Sequence, residues 1–280
     1  MKVGIIGLGA MGLGMARRLA QAGFLEGVYN RTAAKMTEFN VTHYNQPETL
    51  AADMDVILVC VSADNDVLEM VDAIASTIKP NTIVIDTSTV SSETAKKAAA
   101  CLAKKHAAFL DAPVSGGVEG AKNGTLSMMV GGDAAVLEGV RPVLAAITAR
   151  ITHIGDTGSG QATKAINQIM CAGINQAVTE ALAVAQAQNL PMNKVIEVIA
   201  GGAAGNWFLD HRGVTMTQGE FSTGFKLALH HKDLKIAQAM AAQVGVATPL
   251  TDMTVTDYQQ LMAEGYGDED ISALYRLKVS

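Results

Sequence analysis

Three cysteines in 280 residues, Cys60, Cys101 and Cys171, are too few and too widely spaced to frame a disulfide-stapled fold or a zinc site. All three lie in apolar or alanine-rich stretches, so a reduced, cytoplasmic setting is expected and no metal is. Runs of lysine or arginine are also missing, and the formal charge is −6. That removes the electrostatic footprint of a nucleic-acid binder or of a protein drawn to an anionic membrane. No uninterrupted apolar stretch reaches about 18 residues, and the N-terminus lacks a charged segment followed by a long apolar one. Membrane spanning and secretion are therefore not expected. What is present is a hydrophobic content of 49%, enough for a large core in one big domain or two medium ones.

Short β-rich runs alternate with alanine-rich helical stretches through about residue 155: Lys2–Ile6, Val56–Val61, Thr82–Ile85, Ala108–Leu110 and Ser127–Val130. The alternation predicts an α/β fold, a mainly parallel, doubly wound sheet with helices on both faces. From Gln161 to Asn189 there is no proline and only one glycine, Gly173, which predicts one long helix closed by Leu190-Pro191. The remainder reads as helical, with breaks at Gly201-Gly202, Gly213 and Gly245. The expected organisation is a Rossmann-type domain over 1–160 and an all-helical domain over 161–280, joined through the long helix. A helix this apolar should pack between domains or against a second subunit, so a homo-oligomer, dimer or tetramer, is expected.

Gly7-Leu8-Gly9-Ala10-Met11-Gly12 lies between the strand-like Val3–Ile6 and the helix-like Leu13–Gln21. In that context Gly7 permits a tight turn, Gly9 lets the backbone approach a pyrophosphate and Gly12 packs helix on strand. The N–H groups of the helix start, Ala10 and Met11 included, then receive the anion. A dinucleotide is the implied cofactor. Downstream, Val28-Tyr29-Asn30-Arg31-Thr32 has no acid at the strand end to bond a ribose 2′-hydroxyl. Arg31 can fork around a 2′-phosphate, with Asn30 and Thr32 beside it, so NADP is favoured. A solvated Arg31 beside an NAD site is the other reading. The loop Val61-Ser62-Ala63 follows a strand and can line the adenosine side, while Thr89 in Asp86-Thr87-Ser88-Thr89 can face the nicotinamide half. Both loops could equally be simple caps.

Three further segments, with the glycine turn, resemble the β-hydroxyacid dehydrogenase family of 3-hydroxyisobutyrate dehydrogenase and tartronate semialdehyde reductase: Asp111-Ala112-Pro113-Val114-Ser115-Gly116-Gly117, Gly158 to Gln168, and Phe225 to Leu234. The resemblance covers essentially the whole chain. On its own chemistry, Ser115 offers a hydroxyl, and Gly116 and Gly117 can expose consecutive N–H groups to a carboxylate or form an ordinary turn. Asp111 reads as structural. Lys164 in an apolar helix is a snorkelling charge or a functional amine, with Asn167 and Gln168 at i+3 and i+4 on its face.

The resemblance implies that Lys164 is the general acid/base for the carbinol oxygen and that a neighbouring amide positions the substrate. Many relatives carry asparagine where this chain has Gln168, which leaves Asn167 and Gln168 both as candidates. It also implies a place for Lys232 beside nicotinamide and substrate. If Lys164 and Lys232 share a cleft, repulsion and desolvation should lower the pKa of one. His230 and His231 read as helix-surface or packing residues, and the acidic turn Gly265–Asp270 as a cap for a final helix over Asp270–Tyr275. The expected activity is NADP-preferring hydride transfer between nicotinamide and a small 3-hydroxy acid or its semialdehyde, with NAD possible. One alternative is a succinic semialdehyde reductase whose chain-length limit lies in Asn206, Trp207 and Phe208. The other is a non-catalytic nucleotide-binding scaffold.

Overall fold

Successive residues of a strand point to opposite faces of its sheet, and the apolar strands here supply both faces. In the computed structural model, which describes Met1–Val279, Ile5 and Ile6, Leu58 and Ile57, Ile85 and Val84, and Leu110 and Phe109 divide pairwise between two separate hydrophobic cores. A sheet buried on both sides is what continuous apolar runs demand.

The chain divides into two units, Met1–Lys164 and Ala165 onward. The first unit runs β1 (Val3–Ile6), α1 (Ala10–Gln21), β2 (Leu25–Tyr29), a 3₁₀ turn (Ala33–Lys35), β3 (Thr42–His43), α2 (Pro47–Asp53), β4 (Val56–Val59) and α3 (Asp64–Ala75). It continues through β5 (Ile83–Asp86), α4 (Ser92–Ala103), β6 (Ala108–Asp111), β7 (Val114–Ser115), α5 (Gly117–Asn123), β8 (Leu126–Gly131), α6 (Ala134–Ala145) and β9 (Thr148–Gly155). Among the described residues these make one sheet in the order β3-β2-β1-β4-β5-β6-β8-β7, with β9 against β8. Every pair is parallel except β8 with β6 and with β7. The order reverses beside β1, so the carboxyl ends of β1 and β4 form the crevice where open α/β sheets bind ligands.

α7 (Ser159–Ala187) carries the chain onward, two residues earlier at each end than the sequence pattern places it. α8 (Met192–Ala200), α9 (Trp207–Thr217), α10 (Leu227–Gln243), α11 (Pro249–Ala263) and a 3₁₀ segment (Ile271–Leu277) follow. The second unit's core gathers Leu182, Phe208, Leu209, Leu227, Leu234, Tyr258 and Leu274. Gly201 and Gly202 do end α8, and Gly245, at φ +71°, follows α10. Gly213 does not break a helix: it lies inside α9, where an added Cβ would press on the Ile196 and Leu209 side chains at 3.3 Å. Its smallness serves close packing. Asp270 caps the final segment by accepting from Ser272 N–H. Among the described residues no helix is long and apolar enough to cross a membrane.

Candidate active site

The glycine turn meets the chemical demands read from its spacing. Gly7 has φ +97°, and a Cβ there would lie 2.2 Å from the Cys60 carbonyl oxygen, so only glycine serves. A Cβ on Gly12 would come within 2.0 Å of the Gly7 carbonyl oxygen. Gly9 differs: its ideal Cβ meets nothing within 4 Å, leaving the backbone open on the side from which a ligand would approach. Gly9 is also the N-cap of α1, without a side-chain cap and with no acid in the first turn of Ala10, Met11 and Gly12. An anion can therefore satisfy the free N–H groups at the positive end of the helix dipole.

A cavity of about 180 Å³ opens from this turn, and Gly7, Gly9, Asn30, Arg31, Thr32, Val61 and Ser62 all line it. Asn30 joins the elements: its Oδ1 accepts from Leu8 N–H at 2.8 Å and its Nδ2 donates to the Thr32 carbonyl at 3.0 Å. Lys35 and Asp66 also line the cavity and were not singled out by the sequence pattern. Cys60 lies in the wall, where burial pushes its thiol up to about 11 and keeps it protonated at neutral pH. These residues fit a dinucleotide's adenosine and pyrophosphate portion. Ala63, the N-cap of α3, and Thr89 lie outside that cavity.

The loop bearing Thr89 is pinned from α7. The buried Gln161 amide donates to the Ser88 carbonyl at 2.8 Å and accepts from Val90 N–H at 3.1 Å, clamping both flanks of Thr89. Ser88 Oγ in turn accepts from Val61 N–H at 2.9 Å, stitching the loops after β4 and β5 together. Asp111 holds the start of α7: its two oxygens accept from Gly158 N–H at 2.7 Å and Gln161 N–H at 2.9 Å. This is a structural role for Asp111. Desolvation raises its pKa, partly offset by those backbone donors. Ser115 ends β7, and Gly116 and Gly117 follow at φ +131° and +62°, a conformation that favours glycine.

Lys164 is the last residue of the first unit and only 7% exposed. In the second unit Gln168, buried on α7, donates to Asp233 Oδ2 at 2.7 Å and accepts from Asn167 Nδ2 at 2.8 Å. The other oxygen of Asp233 lies 3.1 Å from Lys232 Nζ. Asn167, Gln168, Asp233 and Lys232 therefore form one connected polar group. Sequence reasoning passed over Asp233, although it falls on the buried stripe of α10 marked by Leu227, His230, Leu234, Ala237 and Ala241. A lone carboxylate on an apolar stripe was the available signal. His230 is wholly buried, between the Gln168 carbonyl and the Tyr258 hydroxyl, each at 3.1 Å, so it packs and does not lie on the surface. His231 is half-buried, and desolvation with Lys235 nearby lowers its pKa. Asn206 is occupied as the N-cap of α9 and Phe208 is core, leaving Trp207 alone of that trio exposed.

Residues 2–155 match the NAD binding domain of 6-phosphogluconate dehydrogenase, and 158–278 match the NAD-binding domain of NADP-dependent 3-hydroxyisobutyrate dehydrogenase. The chain belongs to the NAD(P)-dependent β-hydroxyacid dehydrogenases. This dehydrogenase is 35% identical to 2-hydroxy-3-oxopropionate reductase of Escherichia coli over 280 residues, covering 98% of the chain and 96% of that protein. It is 32% identical to the NAD-dependent L-serine dehydrogenase of Pseudomonas aeruginosa, across 99% of the chain and 97% of the relative. A Mycobacterium tuberculosis 3-hydroxyisobutyrate dehydrogenase solved with L-serine superposes with a TM-score of 0.89 at 30% identity, over 100% of this chain and 99% of that one. As a β-hydroxyacid dehydrogenase it is an NAD(P)-dependent oxidoreductase acting on the CH–OH group of a small hydroxy acid.

Proposed function

We propose that this β-hydroxyacid dehydrogenase prefers NADP and interconverts a small 3-hydroxy acid built on a three-carbon chain with its semialdehyde, in the 3-hydroxyisobutyrate or tartronate semialdehyde class. The observation that carries the cofactor choice is the cavity rim, where Arg31, Thr32 and Lys35 stand at and after the end of β2 and no carboxylate occupies the strand end. In a reader of the ribose 2′-hydroxyl an acid would stand there. The relatives' names support the substrate class: one is a 2-hydroxy-3-oxopropionate reductase and another an L-serine dehydrogenase, both acting on three-carbon acids with oxygen at C3.

When bound, the nicotinamide supplies or accepts the hydride. Lys164 takes the proton from the hydroxyl oxygen during oxidation and returns it to the carbonyl oxygen during reduction. Ser115 and the Gly116 and Gly117 amides hold the substrate carboxylate. Asn167 orients the hydroxyl, because both ends of the Gln168 amide are committed to Asp233 and Asn167, whereas Asn167 keeps Oδ1 as an acceptor. Lys232, fixed by Asp233, supplies positive charge to the bound acid. A homo-oligomer is supported by the apolar side chains that α7 leaves exposed, Ile166 and Met170 one turn apart and Val184 beyond. Three free thiols suit a reducing cytoplasm.

The test follows NADPH and NADH consumption by absorbance with tartronate semialdehyde, methylmalonate semialdehyde, glyoxylate and succinic semialdehyde. Fastest turnover of NADPH with a semialdehyde built on a three-carbon chain, tartronate or methylmalonate semialdehyde, is expected. A preference for succinic semialdehyde would replace the substrate class, and cofactor binding without turnover of any acid would indicate a scaffold.

A further inference from the structure

Arg31 does not stand alone at the rim of the nucleotide cavity. Its Nη2 lies 2.7 Å from Asp66 Oδ1 and 3.1 Å from Glu69 Oε2, two carboxylates at i and i+3 on α3. Asp66 lines the cavity together with Arg31, Thr32 and Lys35, and its side chain is only 23% exposed against 64% for Glu69. With Lys35 on the same cavity lining, two cations and two anions stand at this rim, and their formal charges cancel. A ribose 2′-phosphate brings close to two further negative charges into this group, whereas a 2′-hydroxyl brings none.

We propose that Asp66 and Glu69 are nucleotide-specificity residues that oppose the 2′-phosphate and hold the preference for NADP well below what Arg31, Thr32 and Lys35 would give alone, an inference resting on the reading of Arg31 as the 2′-phosphate contact. Arg31 has five N–H donors in a rigid fork, and both ion pairs use the single nitrogen Nη2. A phosphate on the remaining edge sits within the field of Asp66. A phosphate that draws the guanidinium off α3 leaves two adjacent carboxylates without their shared cation. Either route weakens NADP binding and leaves NAD binding largely untouched, because an unphosphorylated ribose brings no charge into the group. Charge on α3, remote in sequence from the glycine turn, thereby sets how strictly the cofactors are distinguished.

Titrating wild-type, Asp66→Asn, Glu69→Gln and Arg31→Ala proteins with NADPH and with NADH, followed by nicotinamide fluorescence, tests this without turnover. Asp66→Asn is expected to raise the ratio of NADPH to NADH affinity by about fivefold, through tighter NADPH binding. Glu69→Gln should act in the same direction but less, and both gains should shrink at high salt. Circular dichroism and thermal melts matching the wild type report that the variants are folded. An unchanged ratio in Asp66→Asn, or weaker NADPH binding because the carboxylates hold Arg31 in place for the phosphate, overturns the proposal. The underlying reading fails differently: an Arg31→Ala protein with the wild-type ratio removes it, whereas a collapsed ratio in Arg31→Ala beside a flat response in Asp66→Asn removes this inference alone.

Discussion

Gln168 Nε2 donates to Asp233 Oδ2 at 2.7 Å across the second unit, from α7 to α10, and Asp233 Oδ1 in turn lies 3.1 Å from Lys232 Nζ. A buried carboxylate is tolerable only when it is hydrogen-bonded and paired with a charge, so the Gln168 donor and the Lys232 ammonium together make Asp233 possible. Gln168→Met keeps the length and removes the donor. It is expected to lower stability by about 2 kcal/mol, the range for a hydrogen bond to a charged group, measured by urea unfolding. Because Asn167 Nδ2 donates to Gln168 Oε1, the same variant should raise KM for the hydroxy acid more than KM for the nucleotide. An unaltered unfolding midpoint would show that this contact contributes nothing.

Lys164→Ala should reduce turnover by on the order of 10² to 10⁴, the usual contribution of a positioned acid or base. Affinity for NADPH, which we assign to the glycine turn and the end of β2, should stay near wild type. Lys164→Arg should be as silent as the alanine variant, since a guanidinium does not release its proton in proteins. Steady-state kinetics with circular dichroism as a fold control decides it, and near-normal turnover in either variant would take the proton-transfer role from Lys164.

Gly9 and Gly12 differ by three positions and should respond in opposite ways. Gly9→Ala places its Cβ in open space at an ordinary φ of −70°, so stability should change by under about 1 kcal/mol. Its methyl group would occupy the pyrophosphate's approach, and NADPH affinity should fall by roughly tenfold or more. Gly12→Ala would drive a Cβ to 2.0 Å from the Gly7 carbonyl oxygen and should unfold the first unit's β1–α1 region. Thermal melts with and without NADPH separate the two, the nucleotide-induced rise in Tm shrinking in Gly9→Ala while the unliganded Tm holds.

The parts of the fold legible in the sequence were those whose signal is local. Gly7, Gly9 and Gly12 lie within one turn of each other, and the apolar runs of β1, β4 and β5 are buried on both faces, so each declares itself in a few residues. β9 is hidden because Thr148–Gly155 is mostly exposed and does not read as a buried strand. Gly213 was misread because a glycine that permits close helix packing has the same letter as one that ends a helix. The polar site was legible only on one side of each pair. Gln168 and Arg31 stand out in their segments, but Asp233 is 65 residues from Gln168 and Asp66 is 35 from Arg31. Only the fold brings such partners together.

Asp111 supports the start of α7 through the two N–H groups its oxygens accept, and because it does so while buried its contribution should depend on pH. Both carboxylate oxygens accept buried N–H groups, from Gly158 and Gln161, and Asp111 itself is fully buried. Asp111→Ala leaves those two donors unpaired and should cost on the order of 3 kcal/mol. Desolvation raises the carboxyl's pKa in the folded state above its unfolded value near 3.9. A raised folded pKa means that the native state binds the proton more tightly than the unfolded chain does. This titration therefore adds stability that is fully present below the unfolded pKa and is lost as pH rises through the folded one. The stability difference between wild type and the non-titrating Asp111→Asn should accordingly be larger at mildly acidic pH and shrink toward neutrality. Urea unfolding of both proteins across that interval measures it, and a difference that grows as pH rises would mean that the backbone donors, not desolvation, dominate the carboxyl's environment.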